Sequence, residues 1–184
     1  TTVSTHTVFG EKPSASPSAT LGAVSDNRVE LVRFSLEFIT GSDSASGKHG
    51  YKLKLPSNYE TASNNTARST GPYTNSAVVA SSNSALQLVP PSYGTSYEAK
   101  VYYGAEGSLT RIPLADARDW NLDYFNGIYF QQDPPTDVSH NPTFIEAYLY
   151  VGQYADAMIT ANSSGGSASA NGADKYTVRV SSTI

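Results

Sequence analysis

The side chains able to do chemistry are few and scattered: three His, sixteen Asp and Glu together, and no Cys. His6 lies near the start of the chain, His49 sits between Lys48 and Gly50, and His140 falls in a proline-flanked loop. Nucleophilic catalysis of the serine type needs a histidine held by a carboxylate and touching a hydroxyl. The G-x-S-x-G elbow that announces such a serine in sequence is absent. All three histidines therefore read as exposed loop residues.

The carboxylates are better grouped. Asp116, Asp119 and Asp123 fall close together, followed by Asp133 and Asp137. On an extended strand Asp119 and Asp123 share a face, and two carboxylates about 5–9 Å apart can hydrolyse a glycoside. Aspartates alternating with apolar residues are also the ordinary polar face of a half-buried sheet, and Asp119 and Asp123 read as that. Asp116, Asp119 and Asp133 offer oxygens of the kind calcium takes, but the EF-hand spacing is absent. Without Cys there is no thiolate zinc site, iron–sulfur site, disulfide or thiol nucleophile. No catalytic residue, metal or cofactor is expected.

Aromatic residues are the more distinctive resource. Tyr93, Tyr97, Tyr102, Tyr103, Tyr124, Tyr129, Tyr148 and Tyr150 cluster in the second half. Such rings can stack on sugars, bury area at subunit interfaces while keeping a polar handle, or simply fill a sheet. Basic and aromatic residues interleave in no run, so nucleic acid is not an expected partner. The sequons at Asn64 and Asn162 are short enough to arise by chance.

The elements that must position these residues are strands. The chain has 184 residues, a net charge of −4 and only 15% charged residues, enough for one domain. No apolar stretch approaches the roughly 18 residues of a membrane span, and no basic stretch leading into an apolar run marks a secretory signal. Residues 1–28, with the polar segment KPSASPSA, read as an N-terminal arm or linker with a possible first strand at Thr2–Phe9. Residues 29–184 read as a single β-sandwich domain.

Val29–Thr40 alternates with period two, as do Tyr51–Leu55 and Tyr97–Tyr103. Shorter strands are expected at Ala77–Ala80, Ala85–Val89, Leu109–Ile112 and Tyr176–Ser181. Residues 57–75 and 162–174 read as long surface loops, and Tyr154–Ala161 as a short helix. Asn126-Gly127 accepts the positive φ angles of a type I′ turn, which pairs Phe125 with Ile128 and Tyr124 with Tyr129. Thr143–Val151 is apolar or aromatic on both faces, as suits a central strand or one at a subunit interface. The sum is an all-β protein: a two-sheet sandwich, best fitted by a jelly roll, with an extended N-terminal arm and long Ser/Gly-rich loops.

The stretch Arg111–Gln132 (RIPLADARDWNLDYFNGIYFQQ), then Asp133-Pro134-Pro135, then Asn141–Gly152 (NPTFIEAYLYVG), resembles segments of virion structural proteins of tailed bacteriophages. The resemblance implies a non-enzymatic part assembled in the host bacterial cytoplasm and carried on the virion. Its most direct form is a capsid decoration, or cement, protein that stabilises the shell. A tail, collar or baseplate component is a close variant. Expected partners are sister subunits, often three in such parts, and the major capsid or tail and neck proteins, with no membrane involved. Tyr102, Trp120, Tyr124, Tyr129, Phe144, Tyr148 and Tyr150 are the expected interface, and Asn126 and Gly127 define the turn. A carbohydrate-binding or receptor-binding sandwich module is the alternative from another class.

Overall fold

Alternation along residues 29–40 becomes one long strand around which the others assemble. The computed structural model describes residues 8–57, 59, 87–155 and 158–159. It contains β1 (Val24–Ser25), β2 (Val29–Phe38), β3 (Asp43–Ser44), β4 (Gly47–Lys48), β5 (Gly50–Lys54), β6 (Lys100–Tyr103), β7 (Thr110–Ile112), β8 (Trp120–Asp123), β9 (Ile128–Gln131) and β10 (Pro142–Tyr150). The main sheet runs β7-β6-β10-β2-β5-β9-β8, with β1 added to β2, and every pairing is antiparallel. β3 and β4 form a second, two-stranded sheet. The all-β class is as expected. A jelly-roll order is not among the described pairings.

The sheet curls, which brings Ile112 of one terminal strand and Leu122 of the other into a single core. That core holds Val32 and Phe34 of β2, Leu53 of β5, Val101 of β6, Tyr129 of β9 and Ile145, Ala147 and Leu149 of β10. These are alternate residues of each strand, as the pleat requires. Each large apolar side chain so removed from water contributes about 1.5–3 kcal/mol.

The opposite face is not left to solvent at the Val29 end. Val29, Leu31, Val89, Tyr97, Tyr148, Tyr150 and Tyr154 form a second buried cluster, with Phe9 packed against it. This explains why both faces of β10 read as apolar. The strand is central, flanked by β2 and β6, and covered on both sides.

Three sequence expectations change. The Asn126-Gly127 hairpin forms, but its register differs by two residues: Leu122 faces Tyr129 and Asp123 faces Ile128. The connection is therefore the four residues Tyr124–Gly127, and only Gly127 has positive φ (63°). Asp123 decides this. Its Oδ1 accepts the backbone N–H groups of Phe125 and Asn126, both at 2.9 Å. A shift of two keeps every side chain on its face, so alternation alone cannot distinguish the registers. Paired left-handed residues occur instead at Asp26 (φ 52°) and Asn27 (φ 56°), between β1 and β2.

The second change is at Tyr97–Tyr103, where only Lys100–Tyr103 is strand and Thr95–Tyr97 is a 3-10 turn after Gly94. The third is the arm. Its described part neither floats nor leaves the subunit, because residues 9–18 lie against the second cluster. Phe9 bridges to Tyr154, and Leu88 of the expected 85–89 strand bridges to Leu149. A helical bond from Met158 N–H to the Tyr154 carbonyl (3.2 Å) starts the turn expected there. His6, most of Thr2–Phe9, the strands at 77–80 and 176–181, most of the loop at 57–75, all of that at 162–174 and both sequons lie outside the described residues.

Candidate functional site

The tyrosines expected at an interface are mostly spent inside the chain. Tyr129 and Tyr150 are fully buried and Tyr148 is 5% exposed. Tyr148 donates its hydroxyl to the Ser18 carbonyl (3.0 Å), and Tyr97 donates to the Ser14 carbonyl (2.6 Å). Tyr150 stacks on Phe9, donates to the Gln153 carbonyl (2.7 Å) and accepts the Glu11 N–H (3.1 Å). Three hydroxyls thus fasten the arm and the exit of β10 to one sheet face. Of the tyrosines expected at an interface, Tyr129 is packed in the main core and Tyr148 and Tyr150 in the second cluster.

The remaining expected interface residues are divided. Trp120 is partly buried, stacks on Tyr129 and donates its indole N–H to the Pro113 carbonyl (2.8 Å). Tyr124 is partly buried and its hydroxyl accepts the Ala99 N–H (3.1 Å). Tyr102 and Phe144 face outward, half-buried, on β6 and β10. Tyr102 donates to Glu146 Oε2 (3.1 Å), and Arg33 holds Glu146 Oε1 through Nη2 (2.6 Å) and Nε (3.1 Å). Burial, then the Glu146 charge, pushes the Tyr102 hydroxyl above its ordinary range.

The aspartates hold backbone. Asp137 accepts from the N–H (2.9 Å) and hydroxyl (2.7 Å) of Ser139. Those two bonds hold its carboxyl below the usual range. Asp116 accepts the Arg118 N–H (3.0 Å) and pairs with its guanidinium (3.3 Å). Burial pushes Asp123 up, but hydrogen bonds from the Asn126 side chain and from the Asn126 and Phe125 backbone outweigh it, leaving the carboxyl low. Among the described residues no three His, Asp or Glu gather as a metal site would require, and no helix is long and apolar enough to cross a membrane.

One polar group was not anticipated. His49 Nδ1 lies 2.9 Å from the Gln131 carbonyl, which can only accept, so Nδ1 carries the proton. In the neutral ring Nε2 is then an acceptor, and it meets the hydroxyls of Ser44 (2.9 Å) and Ser46 (3.2 Å). A base, its orienting acceptor and a hydroxyl are therefore in line. Sequence reasoning missed it because Gln131 is 82 residues away; the only signal was Ser44, Ser46 and His49 within one turn-rich loop.

Ser44 also lines a cleft of about 700 Å³ between the β3–β4 hairpin and the 135–142 segment. Leu36, Phe38 and Val138 give it apolar walls, and Asp43 and Lys48 add charge. The Lys48 ammonium sits over the Phe38 ring, 4.8 Å from its centroid. Tyr51 and Asn141 border the same cleft, and the Tyr51 hydroxyl and Asn141 Oδ1 are buried without a hydrogen-bond partner. The cleft can hold a small ligand with both apolar and hydrogen-bonding surface.

No protein-family model, curated protein or solved structure matches the chain.

Four of the large apolar side chains that remain exposed lie between residues 111 and 152: Leu114 (54%), Phe125 (54%), Phe130 (43%) and Val138 (77%). Phe125 tips the β8–β9 hairpin, and Phe130 projects from β9 beside the His49 ring, 5.8 Å away between centroids. Aromatic side chains left exposed on a fold that buries nine other aromatic and large aliphatic residues below 2% among the described residues are available for contact.

Proposed function

We propose that this chain is a non-enzymatic structural protein of a tailed-bacteriophage virion, a decoration protein that binds the assembled shell. The observation that carries the reading is the exposure of Phe125 and Phe130 on the β8–β9 hairpin. Both lie in the stretch whose pattern resembles virion proteins. In this reading the hairpin, not the buried tyrosines, presents the contact surface. Neighbouring copies on a shell would then add many weak contacts into one stable layer.

The experiment is co-sedimentation of the purified chain with shells of the virus that encodes it, with Phe125→Ser/Phe130→Ser as the comparison. Wild-type chain should pellet with shells at high copy number, and the variant should remain in the supernatant with unchanged circular dichroism. Wild-type chain that stays soluble in the presence of shells overturns the reading. Binding to tails alone moves it to a tail or neck component.

A second reading, a saccharide-binding module, is favoured by one observation: Asp43, Ser44 and Lys48 line the same cleft as Leu36, Phe38 and Val138. Titration with a panel of mono- and disaccharides, followed by amide chemical shifts, tests it. Shifts confined to residues 36–51 and 135–142 support it, and a silent panel removes it.

A further inference from the structure

The Asn126-Gly127 pair closes a hairpin, but its chemistry is not exhausted by the turn. A glycine N that follows asparagine can attack the asparagine side-chain carbonyl, because glycine has no Cβ to obstruct the approach. A bond forms between Gly127 N and Asn126 Cγ, and the Cγ–Nδ2 bond breaks. Nδ2 leaves as ammonia, taking up the proton lost from Gly127 N. Water then opens the cyclic imide on either side, giving aspartate or isoaspartate at position 126. The reaction needs two things: a glycine N–H free to lose its proton, and an asparagine side chain free to swing over its own following peptide.

The structure withholds both. Gly127 N–H donates to the Asp123 carbonyl at 2.8 Å. Asn126 Nδ2 donates to Asp123 Oδ2 at 2.7 Å, and Asn126 N–H donates to Asp123 Oδ1 at 2.9 Å. One residue thus occupies the nucleophile's proton and also holds the amide that must move. Asn126 is exposed, so water reaches the site.

We propose that Asn126 is a deamidation site held in check by Asp123, and that its modification opens the β8–β9 hairpin. The consequence follows from the same contacts. Deamidation turns the Nδ2 donor into a carboxylate oxygen facing another carboxylate at hydrogen-bond distance. A donor–acceptor pair becomes a like-charge pair. The isoaspartate product also lengthens the backbone of the four-residue connection by one atom. Tyr124 sits in that connection, where its carbonyl accepts the Leu88 N–H (3.2 Å) and its hydroxyl accepts the Ala99 N–H (3.1 Å). Opening the turn therefore loosens the end of the sheet at residues 88 and 99. Phe125 would move with it. The change is slow and irreversible, and it marks aged molecules.

The test is peptide mapping by mass spectrometry, with isoaspartate detected by enzymatic methylation, after incubation at mildly alkaline pH. Four samples are compared: native wild type, wild type in urea, native Asp123→Ala and native Asp123→Asn. Asn126 should convert roughly tenfold or more slowly in native wild type than in urea, the scale of losing one charge-assisted hydrogen bond. Asp123→Ala should recover most of the urea rate. Asp123→Asn keeps an oxygen for the two backbone N–H groups but loses the carboxylate hold on Nδ2, so it should fall between. Amide exchange at Leu122 and Tyr129 reports whether each variant keeps the hairpin paired. Equal rates in native and unfolded wild type overturn the proposal. So does an Asp123→Asn variant that keeps the hairpin and reacts no faster than wild type.

Discussion

The Tyr97 hydroxyl donates to the Ser14 carbonyl over 2.6 Å, and both residues are buried. Tyr51 is equally buried, yet its hydroxyl has no partner. The two tyrosines should respond oppositely to loss of the oxygen. Tyr97→Phe leaves a buried carbonyl unsatisfied and should cost about 1–3 kcal/mol. Tyr51→Phe removes an oxygen that gains nothing from burial and should be neutral or stabilising. Urea denaturation of the two variants measures both, and equal destabilisation would contradict the assigned partners.

Phe9 stacks on Tyr150 with centroids 4.0 Å apart, and Gly10 N–H donates to the Gln153 carbonyl at 2.9 Å. A Cβ at Gly10 would lie 2.7 Å from that same carbonyl oxygen. Gly10→Ala should therefore lift the arm off the sheet, at about 1–3 kcal/mol if the neighbours must shift. Amide exchange at Gly10 and Glu11 should rise sharply while that of Phe34 and Ile145 stays slow. Unchanged protection at Gly10 would show that the arm is held elsewhere.

Arg33 and Glu146 form a partly buried ion pair, with side chains 28% and 11% exposed. Arg33→Met removes both bonds to Glu146 Oε1 and leaves the carboxylate with Tyr102 alone. The single change should cost about 2 kcal/mol, somewhat less than a fully buried pair. The double change Arg33→Met/Glu146→Leu should recover most of it, because no uncompensated charge remains. The shift of the urea midpoint decides, and additive losses would count against the pair.

Alkaline pH should destabilise the protein through its buried tyrosines. Burial pushes Tyr51, Tyr97 and Tyr150 up to about 12 from the ordinary 10. Below pH 10 the hydroxyls are protonated whether the chain is folded or not, so they make no difference. Between about 10 and 12 the unfolded chain releases these protons while the folded one retains them. Stability then falls as pH rises through this window. Tyrosinate absorbance should appear together with loss of the folded circular-dichroism signal. Smooth titration near 10 in a protein that stays folded would show that the hydroxyls are open to water.

The sequence by itself determined the longest strands and which of their faces is apolar. Period two along Val29–Phe38 and Gly50–Lys54, and the two-sided apolar run of Pro142–Tyr150, are local properties, and the strands appear where the alternation places them. Only the tertiary structure decided partners, registers and what covers the second face. The order β7-β6-β10-β2-β5-β9-β8 joins residues far apart in the chain, and alternation is indifferent to a register shift of two. The turn at Asn126-Gly127 was settled by a side chain, Asp123, that captures two backbone amides. The arm's place was settled by hydroxyls of Tyr97, Tyr148 and Tyr150 reaching carbonyls or amides more than 80 residues away. So too for His49, whose proton is fixed by the carbonyl of Gln131. Hydrogen bonds of this kind require two groups to meet at about 3 Å, and that meeting depends on the whole fold.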